Sequence, residues 1–320
     1  MKLFEARKPA THPAGDPAAR PQPTLEEIAQ RLDRLERVIA DLKRNTDLLP
    51  AIVRQLSLSD VELPAPYDLL SRRFGYVSQN EEDGLLLALF KRIATTDRRF
   101  VEIGCGVNGG NCGFLARECG WRGMMVDAKG AAIDKIRIRY AGHAVTPVKQ
   151  RVSREGVNVL LQQFGFVGEI DLLSLDIDGM DYWVWEAITA CTPRVVVVEY
   201  NWLFGGERAI TLPYDPKFDV NTIGTRAYRG ASLAAMAHLG RQKGYRLIAT
   251  ERVNAFFLRR DVGPDIPEIE VVRGYRPPPN LASARKVFAK LQRRGLPLVN
   301  VVTGEHEEAV LAAPPGSSTE

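Results

Sequence analysis

The stretch that decides the fold is VEIGCGVNGG (101–110). It continues an apolar strand predicted over 99–104 and passes into a turn in which Gly104, Gly106 and Gly109 show the spacing G-x-G-x-x-G, followed by a helical pattern. Glycines let the backbone turn tightly and come close to a ligand. Because open α/β sheets bind ligands beyond the carboxyl ends of their strands, this turn is predicted to form part of a binding site.

Apolar runs alternate with helical patterns on both sides of this turn, from about residue 68 to 262. Beyond the first strand, strands are predicted at 123–127, 144–148, 170–176 and 194–200, and helices at 82–94, 111–119, 130–140, 154–164, 181–190 and 230–243. The segment 244–260 is typical of two strands joined by a tight connection. The alternation predicts an α/β fold with a parallel sheet covered on both faces, and the closing hairpin predicts an antiparallel last strand.

Two classes of ligand bind such a glycine turn: nicotinamide or flavin dinucleotides, and S-adenosylmethionine (SAM). Glu102 precedes the first glycine by two residues, where its carboxylate would attract the amino group of a methionine moiety and repel a pyrophosphate. A dinucleotide fold would also continue with a parallel second half, whereas this sheet is predicted to end in an antiparallel hairpin. Asp127, at the end of the second strand, is expected to hold a ribose through two hydroxyls. These features favour SAM.

The composition is that of an ordinary soluble globular protein, with 320 residues, 45% hydrophobic residues and a formal charge of +4. So small a charge gives no reason to expect a nucleic-acid partner. The four cysteines form no C-x-x-C pair, and no histidine pair has metal-ligand spacing, so neither a zinc site nor a disulfide scaffold is expected. The start of the chain lacks a secretory signal, and the chain has no apolar run of 18 residues. We therefore expect a cytoplasmic protein with no membrane span.

Composition divides the chain into four segments. Residues 1–23, rich in Pro, Ala and charged residues, are expected to be disordered. Residues 24–66 contain a helix with an apolar heptad seam over 25–42 and a linker. This helix would either form a coiled coil that makes a homo-oligomer or pack on its own domain. Residues 67–262 are predicted to be the main domain, and 263–320 a C-terminal extension with one helix and a disordered tail.

Six segments of the main domain resemble the FkbM-type branch of class I SAM-dependent methyltransferases. They are YVSQNEEDGLLL (76–87), FVEIGCGVNGGN (100–111), GWRGMMVDAK (120–129), EIDLLSLDIDGMDYWVWEAI (169–188), VVVVEYN (195–201) and YRGASLAAMAHLGRQKGYRLIATERVNAFFLRRD (228–261). The resemblance implies the seven-stranded, Rossmann-like methyltransferase sheet. It also implies methyl transfer to an oxygen, often on a sugar or glycoconjugate.

The predicted cofactor contacts surround the glycine turn. Gln79 belongs to the segment S-Q-x-x-E-D-G, which lies over the cofactor in the resembling proteins; the alternative is that this segment only caps a helix. The residues expected to contact the cofactor are Gln79, Glu102, Gly104, Gly106, Asn108, Asp127, Ala128, Ser153 and Asp176.

Acidic side chains gather where the fourth and fifth predicted strands end. Asp176 and Asp178 follow the fourth strand, and Glu199 and Asn201 close the fifth. Because neighbouring parallel strands end at one edge of a sheet, these groups are expected on one rim that faces the cofactor. Asp181 is expected to cap the helix that follows the fourth strand.

Three interpretations of this rim remain open. In the first, Asp176, Asp178, Glu199 and Asn201 bind Mg²⁺ or Ca²⁺, which lowers the pKa of a substrate hydroxyl. In the second, Asp178 or Glu199 is a general base without a metal. In the third, Asp176 and Glu199 only form hydrogen bonds with loop backbone. The predicted catalytic residues are Asp176, Asp178 and Glu199.

The sequence therefore predicts a SAM-dependent O-methyltransferase for a hydroxylated, sugar-like or glycan acceptor. Residues 202–229, which contain Trp202, Tyr214, Tyr228 and Arg229, are expected to form a substrate lid. Two alternatives come from other classes of protein. One is a non-catalytic SAM-fold assembly or scaffold protein that acts through its heptad helix, and the other is a nicotinamide-dependent oxidoreductase.

Overall fold

The computed structural model describes residues 69–277 and 281–307, without the side chains of 281, 282 and 285. The expected disorder of 1–23, the heptad helix of 24–66 and its oligomer, and the tail beyond 307 lie outside the described residues. No helix in the described part is both long and apolar enough to cross a membrane.

The strands, numbered in chain order, are β1 (Arg99–Ile103), β2 (Arg122–Asp127), β3 (Val145–Lys149), β4 (Gly168–Leu175), β5 (Cys191–Glu199), β6 (Ile210–Thr211), β7 (Tyr245–Glu251), β8 (Asn254–Arg259), β9 (Leu298–Asn300) and β10 (His306–Glu307). Seven of them form the central sheet, in the order β3-β2-β1-β4-β5-β8-β7. Strands β1 to β5 pair in parallel, and β8 is antiparallel to both of its neighbours. The predicted Rossmann-like sheet with an antiparallel last strand is confirmed.

The helices are α1 (Glu82–Ile93), α2 (Gly113–Glu118), α3 (Gly130–Arg139), α4 (Val157–Gln163), α5 (Asp181–Ala187), α6 (Leu233–Gln242), α7 (Val271–Gly274) and α8 (Leu281–Arg293). Helices α1 to α3 contribute to one buried apolar cluster of the sheet, and α4 to α6 to the other. The valines of β5 show why both faces are covered: Val195 and Val197 belong to the first cluster, and Val196 and Val198 to the second. Alternate residues of a strand point to opposite faces, so an all-valine run suits a strand buried on both.

A small second sheet lies beyond the carboxyl end of β5, with the order β10-β9-β6. Strand β6 comes from the segment predicted as a lid, whereas β9 and β10 come from the C-terminal extension. A third apolar cluster joins the same two parts of the chain, because Phe204 and Tyr228 pack with Phe288 and Leu291 of α8. Sequence patterns did not predict this sheet, and it anchors the lid segment to the C-terminal extension.

Replacing Phe288 by Ala should test this anchoring. Phe288 is fully buried in the third cluster, so Phe288→Ala should lower the free energy of unfolding by about 3–5 kcal/mol. The matched control is Val287→Ala on the exposed side of α8, which should change it by about 0.5 kcal/mol or less. Urea denaturation measures both, and equal effects of the two substitutions would contradict the packing described here.

Candidate active site

A cleft of about 970 Å³ opens at the carboxyl ends of β1, β2, β4 and β5. Its volume is within the range of small-molecule and cofactor sites. Most of the residues that the sequence predicted for the site line this cleft: Gln79, Gly104, Gly106, Asp127, Ala128, Ser153, Asp176, Asp178 and Glu199. Three predicted residues do not line it, namely Glu102, Asn108 and Asn201.

The glycine turn is fixed against the loop that follows β4. Gly104 has a φ of +92°, and a Cβ atom there would lie 1.6 Å from the carbonyl oxygen of Asp176. The amide of Asp176 in turn donates to the carbonyl of Ile103, at 2.9 Å. Only glycine fits position 104, and the two loops that border the cleft are held together at this point.

Asp127 lies at the end of β2 with its carboxylate at the edge of the cleft. One oxygen accepts the amide of Gly106 at 3.0 Å, and the other accepts the amide of Lys129 at 2.7 Å. These two bonds fix the carboxylate beside the glycine turn. Each carboxylate oxygen has two acceptor sites, so Asp127 retains capacity for two ligand hydroxyls.

Glu102 is placed differently from the sequence prediction. Its side chain is 1% exposed and lies behind the glycine turn, where its oxygens accept the amide of Cys112 and the hydroxyl of Ser174, both at 2.8 Å. Burial raises the pKa of Glu102 to about 8, against the lowering effect of these hydrogen bonds. The carboxylate therefore supports the chain that enters α2. It does not line the cleft, which contradicts the predicted direct contact with a ligand amine.

The side chains of Asn108 and Asn201 also form hydrogen bonds with backbone groups. The side-chain amide of Asn108 donates to the carbonyl of Val77 at 2.6 Å. Asn201 accepts the amide of Leu203 at 3.0 Å and donates to the carbonyls of Ala227 and Arg229, each at 2.8 Å. The structure thus places Asn201 as a support of the lid segment, and its predicted role as a metal ligand finds no support in this geometry.

The segment S-Q-x-x-E-D-G forms one edge of the cleft. Asp83, fully buried in the first turn of α1, accepts the amides of Tyr76 and Val77, both at 2.7 Å, and that of Ser78 at 3.1 Å. One carboxylate therefore holds the chain that carries Gln79 into the cleft. Asp83 binds the chain that precedes α1 and not the first amides of the helix, so this contact is not the capping role of the alternative interpretation.

The predicted acidic rim exists. Asp176, Asp178 and Glu199 each offer a carboxylate oxygen, and these three atoms lie within 4.8 Å of one another. Burial and the neighbouring charges of Asp181 and Asp178 raise the pKa of Asp176 to about 7. Burial and the charge of Asp176 raise the pKa of Glu199 well above its usual value. A carboxyl group with the pKa of Asp176 can exchange a proton near neutral pH.

Asp181 supports this rim from below. It is the first residue of α5, and its two oxygens accept the amides of Ile177 and Gly179, at 2.8 and 2.9 Å. Asp178 lies between them with a φ of +58°, in the left-handed region that aspartate tolerates better than most residues. The prediction that Asp181 caps α5 is wrong: Asp181 is the first residue inside the helix, and its carboxylate instead holds the preceding loop, which presents Asp178.

Arg229 lies among the acidic side chains, a contact that sequence reasoning missed. Its guanidinium donates to Asp178 Oδ1 and, at 2.7 Å, to Glu199 Oε1. Arg229 thus binds one oxygen on each of two of the three carboxylates that a divalent ion would use, and its positive charge repels a cation there. The side chains as arranged therefore do not fit the predicted Mg²⁺ or Ca²⁺ site. The only signal in the sequence was a basic residue in the predicted lid. The lid follows the fourth and fifth predicted strands, which both carry acidic residues at their ends.

Aromatic side chains from the lid segment also line the cleft, namely Trp202, Tyr214 and Phe218. Tyr214 is fixed by a hydrogen bond from its hydroxyl to Glu155, at 2.7 Å, and by an edge-on contact with Trp183. Tyr228, also predicted for the lid, is buried in the third cluster and does not line the cleft. Charged and aromatic side chains thus both line the cleft.

Comparison with known proteins gives no match to a family model and none to a curated protein. Among solved structures, the chain is similar to the mitomycin 7-O-methyltransferase MmcR (16% identity, 52% of this chain and 51% of that chain, TM-score 0.31). It is also similar to the pyocyanin biosynthetic protein PhzM (19%, 54% and 57%, TM-score 0.34). A third is a putative O-methyltransferase from Klebsiella pneumoniae (16%, 66% and 87%, TM-score 0.37). The chain spans about half the length of the first two.

Replacing Gly104 by Ala should separate close packing from backbone strain. Gly104→Ala adds both a left-handed alanine and an overlap with the Asp176 carbonyl, so we expect a loss of about 3 kcal/mol or more in unfolding free energy. Gly120→Ala is the matched control, because Gly120 has a φ of +66° and nothing within 4 Å of its added Cβ. It should cost about 1 kcal/mol. Similar losses in chemical denaturation would show that the contact between the two loops is unimportant.

Replacing Glu102 by Gln should change how stability depends on pH. Since burial raises its pKa from 4.5 to about 8, the folded state keeps a proton that the unfolded state loses in this interval. The contribution of Glu102 is thus complete below pH 4.5 and declines as pH rises to about 8. Glu102→Gln should flatten this decline in denaturation curves measured across the interval. Glu305→Gln, at an exposed position, should leave it unchanged, and an unchanged slope in Glu102→Gln would refute the assignment.

Proposed function

We propose that this chain is a SAM-dependent O-methyltransferase whose acceptor is a hydroxyl group of a sugar or glycoconjugate-like molecule. The observation that carries the proposal is the meeting of two sites in one cleft. One side has the glycine turn and the fixed carboxylate of Asp127, which suit a nucleoside. The other has the carboxylates of Asp176, Asp178 and Glu199, which suit the activation of a hydroxyl.

The cleft is lined by seven basic and six acidic side chains, and the carboxylates nearest the glycine turn favour a cationic cofactor there. Asp176, with a neighbouring pair of carboxylates, lies directly beside the glycine turn. This environment attracts a sulfonium and disfavours a pyrophosphate, because like charges repel. The contacts available to the cofactor are the backbone at Gly104 and Gly106, the carboxylate of Asp127, and the cleft wall at Ala128 and Ser153. SAM supplies an electrophilic methyl group when it is bound there.

The carboxylates address the weak step of this chemistry, because a neutral alcohol is a poor nucleophile. Burial and neighbouring carboxylates raise the pKa of Asp176 to about 7, so it can accept the proton of an acceptor hydroxyl near neutral pH, and Glu199 lies close enough to share that proton. The remaining task is alignment of the two reactants in line, which a rigid rim provides. Trp202, Tyr214 and Phe218 offer ring faces on which the apolar side of a sugar can stack.

Titration with nucleotides tests the cofactor and separates the alternatives. We expect SAM and S-adenosylhomocysteine to bind in calorimetry, and NAD(P) not to bind, since the carboxylates of Asp127 and Asp176 beside the glycine turn repel a pyrophosphate. Asp127→Asn should weaken S-adenosylhomocysteine binding by about tenfold, the equivalent of roughly 1.4 kcal/mol. Asp134→Asn, on the exposed surface of α3, should not change it. Binding of NAD(P) alone would instead favour the oxidoreductase.

Methyl transfer to a panel of monosaccharides and glycosides tests the reaction itself, with S-adenosylhomocysteine release as the readout. Glu199→Gln and Asp176→Asn should each reduce turnover by about 100-fold or more, because they remove proton acceptors. In Glu199→Gln, cofactor binding and the circular dichroism spectrum should stay close to those of the unmodified chain. Undiminished turnover in both variants would overturn the role of the rim, and SAM binding without transfer to any acceptor would favour the scaffold protein.

A further inference from the structure

We infer that Arg229 is the resident cation of this cleft and takes the place that a divalent ion would occupy in a metal-dependent enzyme. In this interpretation Arg229 is a positioning residue, which acts on the acceptor through Glu199 and Asp178. The role of Arg229 in methyl transfer rests on the proposed function, whereas its effect on ion binding does not.

The backbone at Arg229 is fixed on three sides. Its carbonyl accepts the side-chain amide of Asn201 at 2.8 Å. The next residue, Gly230, donates its amide to the carbonyl of Gly179 at 3.0 Å. Ala231 then accepts the amide of Asn201 at 2.7 Å. These bonds join Arg229 to the end of β5 and to the loop after β4, the two elements that carry its carboxylate partners.

The side chain is correspondingly held in place. Its exposed fraction is 23%, and the carboxylate of Glu199 is 7% exposed. The two terminal nitrogens bind different carboxylates, Asp178 on one loop and Glu199 on a neighbouring strand. Arg226, in the same segment, differs in both respects: it is 70% exposed and lies 3.5 Å from Asp178.

Three carboxylates this close repel one another when ionised, so the cluster needs a positive charge. Arginine keeps its charge at every relevant pH, and its planar fork can bridge two acceptors at once. A lysine ammonium is a compact point charge and would bridge the carboxylates of Asp178 and Glu199 less well. The guanidinium therefore neutralises the rim and fixes the orientation of the Glu199 carboxylate towards the cleft.

An ion and Arg229 would compete for the carboxylates of Asp178 and Glu199, so ion binding alone tests the inference. Removing the guanidinium should leave three carboxylates suited to a hard divalent cation. We expect Arg229→Gln to bind Mn²⁺ with a Kd of about 10⁻⁴ M, and the unmodified chain to bind at least about tenfold more weakly. Titration calorimetry or the paramagnetic resonance signal of free Mn²⁺ measures both.

Matched variants show which groups cause the gain in Mn²⁺ affinity. Arg226→Gln removes an equal charge from the same segment and should keep the weak Mn²⁺ binding of the unmodified chain. Adding Asp178→Asn to Arg229→Gln should abolish the gain. Arg229→Lys keeps the positive charge but loses the bridge between the two carboxylates. Its Mn²⁺ affinity should therefore lie between those of the unmodified chain and Arg229→Gln, and it serves as the test if Arg229→Gln does not fold. Tight Mn²⁺ binding by the unmodified chain, or no gain in Arg229→Gln and Arg229→Lys, would overturn the inference.

Turnover separates this inference from the proposed function. With an active acceptor, EDTA should leave the rate of the unmodified chain unchanged. Arg229→Gln should lower kcat by about tenfold or more with an unchanged KM for SAM, and Arg229→Lys should recover part of the loss. A strict requirement for added divalent ion would refute the role of Arg229 while methyl transfer stands. No transfer at all, with the expected Mn²⁺ results, would refute the proposed function and leave Arg229 as a structural cation.

Discussion

The carbonyl of Asp176 occupies the space that any side chain at position 104 would need, and the rest of the cleft depends on this contact. It is supported by the hydrogen bond from the Asp176 amide to Ile103, in the same pair of strands. The turn that suits a nucleoside and the rim that suits an acceptor therefore behave as one rigid unit. Group transfer gains much of its rate from correct distance and direction, so a shared backbone contact is an economical way to set both.

Buried carboxylates have two distinct tasks in this protein. Glu102, Asp83 and Asp181 each accept backbone amides and hold a loop in place. Asp176 and Glu199 instead lie at the cleft, where burial and mutual repulsion raise their pKa values. The first group gives the second its position. All of these residues flank the strand ends or the first helix, and only the direction of each side chain distinguishes a support from a reactive group.

This distinction explains how far the sequence could be interpreted. The central sheet was predictable because the valine run of β5 and the regular alternation of strands and helices carry a strong periodic signal. Strands of two or three residues, such as β6 and β10, have no such signal, so the small sheet was missed. The turn and rim were predictable from their positions after strands. The direction of Glu102 and the pairing of Arg229 with Asp178, 51 residues earlier, depend on tertiary packing and were not.

The lid segment is joined to the C-terminal extension by more than apolar packing. Tyr228 donates its hydroxyl to the carbonyl of Pro297 at 2.5 Å, and Arg208 pairs with Glu307 at 3.0 Å. The wall that would face an acceptor is therefore assembled from two stretches far apart in the chain. Changes in the extension can therefore reshape that wall while the glycine turn and the carboxylates stay untouched, so that under the proposed function acceptor preference and methyl transfer depend on separate parts of the chain.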